Sequence, residues 1–126
     1  EFSWMPYDWN DTAPLAGLLE DLRARNAAIV ASSEGGLFEY GSDQAIVRNL
    51  EALRDAGATA VVGSVTRADR ESRRILGASQ FKVIPRGREG IAPLAEAAGF
   101  RIGETCAIPM SIQATFVPAP QPAGPA

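Results

Sequence analysis

Ala27-Ala28-Ile29-Val30-Ala31 runs straight into Ser32-Ser33-Glu34-Gly35-Gly36-Leu37-Phe38-Glu39-Tyr40-Gly41. A short apolar run that stops abruptly in small, acidic and aromatic residues reads as a buried strand and the loop beyond its end. A helix follows from Ser42 or Asp43, with Ile46, Val47, Leu50 and Leu53 as its apolar stripe and Gly57 as its stop. Ala58 to Val65 (ATAVVGSV) is then a nearly continuous apolar, β-branched run, as in a strand covered on both faces. In open α/β sheets ligands lie just beyond the carboxyl ends of the strands, which places Ser32 to Tyr40 at a candidate site.

The alternation extends both ways. Phe2 to Met5 reads as a short strand and Pro6 to Asp11 as a polar, aromatic loop. Asp11 or Thr12 caps a helix with Pro14 in its first turn and Leu15, Leu18, Leu19 and Leu22 at helical spacing, ending near Asn26. After the second long strand, Thr66 to Leu76 is a charged short helix and Phe81 to Ile84 a short extended run. Gly90 to Ala98 is a helix, and Phe100 to Ala107 and Ser111 to Val117 are a final antiparallel pair at the sheet edge. The expected fold is α/β: a three-layer sandwich with a mostly parallel, Rossmann-like sheet and a terminal antiparallel strand pair. Residues 1–117 form one domain, and Pro118 to Ala126, rich in Pro and Ala, is a disordered tail.

Composition removes whole classes of chemistry. The chain has 126 residues, 46% apolar and 21% charged, with net charge −3, an ordinary globular balance without the basic excess of a nucleic-acid binder. It contains no histidine, so His-based triads, Cys-His dyads and His-ligated metals are excluded. One cysteine, Cys106, allows no internal disulfide and no thiolate zinc cluster; it is expected to be a small buried residue of a cytoplasmic protein. No run reaches the about 18 apolar residues of a membrane span. The opening Glu1-Phe2-Ser3-Trp4-Met5 reads as mid-protein sequence.

Four constellations carry chemistry. In the strand-end loop, Glu34 or Glu39 can bind an amine or act as a general base, and the Gly35-Gly36 pair lets a ligand approach the backbone; the plainer alternative is a solvated turn. Tyr7-Asp8-Trp9-Asn10-Asp11 combines rings and carboxylates that suit a planar or cationic ligand, or simply a helix start with Trp9 on the core. Pro85-Arg86-Gly87-Arg88-Glu89-Gly90 is a basic Gly loop at a helix start, matching neither GxGxxG nor GxxxxGK[ST]. Arg67, Arg70, Arg73 and Arg74 with Asp69 and Glu71 have the mixed charge of a solvated helix face.

The helix GIAPLAEAAG (90–99), the strand FRIGETCAI (100–108) and the strand SIQATFVPA (111–119) together resemble the carboxyl-terminal end of class I S-adenosylmethionine-dependent methyltransferases. The run from Ile29 to Arg67 is similar to that family's central strand, substrate-facing loop, helix and fifth strand. The resemblance rests on order rather than on a diagnostic motif, and the family's glycine-rich first loop has no counterpart here. It implies a final antiparallel strand inserted in the sheet, and Phe2 to Met5 as a preceding strand. It implies the carboxyl-terminal part of a methyltransferase acting on a small-molecule acceptor, with S-adenosylmethionine as cofactor and no metal. On it, Glu34 orients or deprotonates the acceptor; Ser32, Ser33 and Tyr40 line the acceptor pocket; Asp8 and Trp9 lie on the adenine side. Two other readings stand beside it: a non-catalytic α/β ligand-binding or interaction module of the same topology, and a small anion-binding domain using Arg86 and Arg88. Neither nucleic acid nor membrane is an expected partner. A strand exposed at a sheet edge implies a homodimer through that edge.

Overall fold

The computed structural model describes residues 1–120. Its elements, in chain order, are α1 (Ala13–Ala24), β1 (Val30–Ser33), α2 (Leu37–Tyr40), α3 (Asp43–Asp55), β2 (Ala60–Thr66), α4 (Arg70–Gly77), α5 (Gly87–Ala97), β3 (Phe100–Ile108) and β4 (Ser111–Pro118). The fold is α/β, as the alternation predicts. The sheet order is β1-β2-β4-β3, with β1 and β2 parallel and β4 antiparallel to both β2 and β3. Three strands therefore point one way, and β4 is inserted between β2 and β3 rather than lying in an edge pair. No helix among the described residues is long and apolar enough to cross a membrane.

Local chemistry explains the element ends. Thr12 precedes α1 with Pro14 in the first turn, and Asn26 ends it in the left-handed region (φ 54°), a conformation Asn tolerates. Ser42 caps α3, its Oγ accepting from the Ala45 amide at 3.1 Å. Asp69 caps α4, accepting from the Ser72 amide and hydroxyl, and these bonds hold its carboxyl down at about 2. Gly57, at φ 81°, turns the chain from α3 into β2.

One face of the sheet makes the core. Register puts Ala31, Val61 and Phe116 side by side, and Ser33, Gly63 and Ala114 in the next row. Against Val61, Val65, Phe100, Ala114 and Phe116 pack Leu19 of α1, Ile46 and Leu50 of α3, and Ile91 and Ala95 of α5, all buried. α1 rests on α3 and α3 on α5. Phe38 of α2 is also fully buried and lies 5.0 Å from the Phe116 ring, centroid to centroid. On the other face Val30, Ala60, Val62, Thr115 and Val117 are half-buried or exposed, while Ser64 and Thr66 at the end of β2 are buried.

Several expectations need correction. Phe2 to Met5 forms no strand: β1 has β2 as its only partner among the described residues, and Phe2 and Trp4 are 92% and 79% exposed. β1 begins three residues later than expected, because Ala27 and Ala28 belong to the turn after α1. Phe81 to Ile84 also forms no strand; the Phe81 amide donates to Ser79 Oγ at 3.3 Å and the Ile84 amide to the Glu39 carbonyl at 2.7 Å. Cys106 is exposed, not buried: past the irregularity between Ile102 and Thr105, β3 runs beyond the core and both of its faces meet solvent. Pro118 closes β4, and the Ala119 amide donates to the Gly99 carbonyl at 2.9 Å. Residues 121–126, where the disordered tail is expected, lie outside the described residues.

The tightest point of the core is Gly63. A Cβ there would meet the Phe38 ring at 2.5 Å and the Ser33 carbonyl at 2.6 Å. Gly63→Ala is expected to destabilise the fold by about 3 kcal/mol, the upper range for overpacking. The check is a lowered denaturation midpoint at unchanged m-value, with a smaller penalty in a Phe38→Leu background. An equal penalty in both backgrounds would remove the Phe38 contact as its cause.

Candidate functional site

The site grows from the carboxyl end of β1. Ser32 and Ser33 are the last strand residues, and Gly35 (φ 63°) turns the chain into α2. Ser33 Oγ accepts from the Leu37 amide at 3.0 Å and so supports the first turn of α2. The Gly35 amide donates to Ser64 Oγ of β2 at 2.9 Å, and Gln113 Nε2 of β4 donates to Glu34 Oε2 at 2.9 Å. Ser64 and Gln113 are register partners, so Glu34 is tied to the β2–β4 side of the strand end.

The aromatic loop reaches the same strand end from the other side. Trp9, Tyr7, Ser32, Ser33, Leu37 and Asn49 line one cavity of about 240 Å³, and no charged residue lines it. Asn49 of α3 builds this wall. Its side chain is buried; Nδ2 donates to the Trp9 carbonyl at 2.9 Å and to the Ala45 carbonyl at 2.7 Å, and Oδ1 accepts from Tyr7 Oη at 2.6 Å. Burial, with smaller contributions from Asp11 and Asp8, pushes the Tyr7 phenol above its ordinary 10.0.

The structure thus brings together Trp9, Ser32 and Ser33, with Glu34 next in the chain on the far side of the strand end. Asp8 does not face the cavity; its Oδ1 accepts from the Asn10 amide at 2.9 Å and closes its own turn. Tyr40 ends α2, is 39% exposed and does not line the cavity. A larger open groove of about 480 Å³ between α1 and α3 is edged by Arg23, Arg48, Glu51 and Asp55, away from the strand ends.

Arg86 is not available to a ligand. Its side chain is 5% exposed, and it donates to the Phe38 carbonyl at 3.0 Å, the Gly41 carbonyl at 2.7 Å and Asp43 Oδ1 at 2.8 Å. The guanidinium is consumed as an internal clamp, which removes it from the anion-binding reading.

Sequence reasoning missed Asn49, Ser64 and Gln113. For Asn49 there was a signal: with Ile46, Leu50 and Leu53 it falls on the apolar stripe of α3, and a polar residue there must find partners. Ser64 and Gln113 become visible only once β2 and β4 are paired.

Removing the Asn49 amide leaves the Trp9 carbonyl and the Tyr7 hydroxyl without their partner. Asn49→Ala is expected to cost about 1–3 kcal/mol, the cost of unsatisfied buried polar groups, and to increase solvent quenching of Trp9 fluorescence in a Trp4→Phe background. Folded Tyr7 holds its proton to higher pH than unfolded Tyr7. Its contribution is therefore full below pH 10.0 and is lost as pH rises through the raised value, which alkaline absorbance titration reads directly. Normal tyrosine titration and unchanged quenching would separate Asn49 from this loop.

No family model and no curated protein matches the sequence. Solved structures do match by fold. One is the SAH-bound form of CalO1, a methyltransferase in calicheamicin biosynthesis (TM-score 0.56, 21% identity, covering 71% of this chain and 30% of that one). Another is magnesium protoporphyrin IX methyltransferase ChlM from Synechocystis PCC 6803 with bound SAH (TM-score 0.53, 14% identity, covering 71% of this chain and 44% of that one). The chain spans less than half the length of either neighbour. At these identities the likeness is one of fold alone: over 71% of its length this chain has a class I S-adenosylmethionine-dependent methyltransferase-like fold.

Proposed function

We propose that this chain forms the carboxyl-terminal part of an S-adenosylmethionine-dependent methyltransferase acting on a small-molecule acceptor. The observation that carries the reading is the cavity at the carboxyl end of β1, in a methyltransferase-like fold. It has an aromatic wall, two serine hydroxyls and no charged lining residue. That lining fits an uncharged planar group such as adenine, with Trp9 stacking on the ring. Asp8, through its turn, fixes the position of Trp9.

On this reading the residues of the strand end divide the work. The bound cofactor supplies an electrophilic methyl group on a sulfonium. Ser32, Ser33 and Tyr40 bound the acceptor, and Glu34 orients or deprotonates its nucleophile. The Gln113 amide holds the Glu34 carboxylate in place at 2.9 Å. No step requires a metal. The proposed compartment is the cytoplasm, where the exposed Cys106 stays a free thiol.

A second reading, a ligand-binding module without catalysis, is favoured by one observation: the Asp8 carboxylate and Ser33 Oγ already serve local backbone amides. The experiment is calorimetric titration with S-adenosylhomocysteine. Micromolar binding, weakened about tenfold by Trp9→Ala, the scale of base–aromatic stacking, would mean that the cofactor site is complete in this chain. No binding fits either a part without the glycine-rich loop or the module, and a strand with a G-x-G loop just before Glu1 would then decide for the enzyme. Binding without methyl transfer to any acceptor, unaltered by Glu34→Gln, would favour the module.

Among the described residues the sheet has two free edges, β1 and β3. β1 has Val30 at 64% exposure, and β3 is exposed over Glu104 to Ile108. Unpaired backbone groups on such edges recruit another strand. A homodimer through a sheet edge is the expected state of this chain in solution, read by size-exclusion chromatography with light scattering. A monomer at high concentration would refute it.

A further inference from the structure

Two stretches that carry little signal in the sequence meet in space. Arg67 follows the last residue of β2, Arg73 belongs to the first half of α4, and Arg88 to the first turn of α5. All three line one open groove of about 670 Å³. They lie 6 and 15 residues apart in sequence, and the crossover from β2 through α4 to α5 brings them together.

The state of each group decides what the groove can do. Arg67 Nε is held by Asp69 Oδ2 at 2.9 Å, and among the described residues its outer nitrogens make no hydrogen bond. Arg73 donates to the Ala68 carbonyl at 2.8 Å and weakly to the Pro85 carbonyl at 3.4 Å, which ties α4 to the start of α5. Arg88 makes one long contact, to Thr105 Oγ1 at 3.4 Å. Two carboxylates share the groove. Asp69 is already committed to the Ser72 amide, the Ser72 hydroxyl and Arg67, and Glu89 makes no hydrogen bond or ion pair among the described residues. On a chain of net charge −3, this concavity keeps a local excess of positive charge. The first turn of α5 lines it too and has no side-chain cap.

We propose that this groove binds an oxyanion, phosphate or carboxylate, through the guanidinium groups of Arg67 and Arg88, with Arg73 holding the two walls together. Arginine forks match the two-oxygen edge of such groups, which a dispersed pair of ammonium groups does not. Arg86 lines the same groove but takes no part, since its donors are consumed by Phe38, Gly41 and Asp43. The site is separate from the uncharged cavity beside Trp9 and does not depend on methyl transfer.

The test is an amide-resolved NMR titration of the full chain with inorganic phosphate and, separately, malonate. Saturable shifts confined to residues 67–73 and 86–90 are expected, with affinity falling about tenfold in Arg67→Ala and in Arg88→Ala, the loss of one charge-assisted contact. Arg101→Ala, on β3, is expected to leave the affinity unchanged. Both substituted side chains are surface groups, and retained spectral dispersion certifies the fold. Preference for phosphate or for malonate assigns the anion class. Shifts that do not saturate, that spread over the surface, or that survive both substitutions would overturn the site.

Discussion

The absence of a side chain at Gly63 is the constraint on which the candidate site depends. At the centre of β2, only hydrogen leaves room for the Phe38 ring, and any Cβ would strike that ring and the Ser33 carbonyl of the neighbouring strand. Because the ring fits, α2 is pressed flat on the sheet and Phe38 stacks obliquely on Phe116. α2 has four residues, far too few to be stable on its own helical propensity. Its conformation is imposed by packing. The loop before it, Ser32 to Gly36, is consequently held between a fixed strand and a fixed helix.

Arg86 completes what Gly63 begins. A helix of one turn leaves its last carbonyls unpaired, and those of Phe38 and Gly41 would be buried at a cost. Arg86 reaches across from the start of α5 and donates to both, while Asp43 at the head of α3 supplies the countercharge. A buried guanidinium is tolerable only when its donors and its charge are both met. Here the carboxylate is itself 72% exposed, so the pair gives up little hydration on one side. The clamp joins the neighbouring α2 and α3 to the start of α5, across sequence gaps of 43 to 48 residues.

The fold was legible because it rests on local signals of period and punctuation. The apolar stripe of α3 with Ser42 and Gly57 at its ends, and the β-branched run of β2, are read off correctly from neighbours in the chain. Where pairing rather than pattern decides, the sequence misleads. Phe2 to Met5 has strand chemistry but no partner strand, and the second half of β3 has strand partners but no core beneath it. α2 could not be seen at all, since its cause lies at Gly63 and Arg86. The candidate site divides likewise. Ser32, Ser33 and Trp9 stand out from strand-end logic and an aromatic loop, while Asn49, Ser64 and Gln113, which hold Trp9, Gly35 and Glu34, act across sequence gaps of roughly thirty to eighty residues.

The strand ends also sort charge in a way no single segment announces. Beside β1, the lining is aromatic, aliphatic and hydroxylic, and the Asp8 carboxylate is turned into its own loop. Beside β2, guanidinium groups gather around backbone carbonyls and one committed aspartate. Glu34 stands between the two, held by an amide rather than by a cation. The arginine clamp that orders the loop is directed at Asp43 and leaves Glu34 alone. That separation allows one sheet end to be rigid, to carry an anion-attracting groove, and still to present an uncompensated carboxylate beside an uncharged cavity.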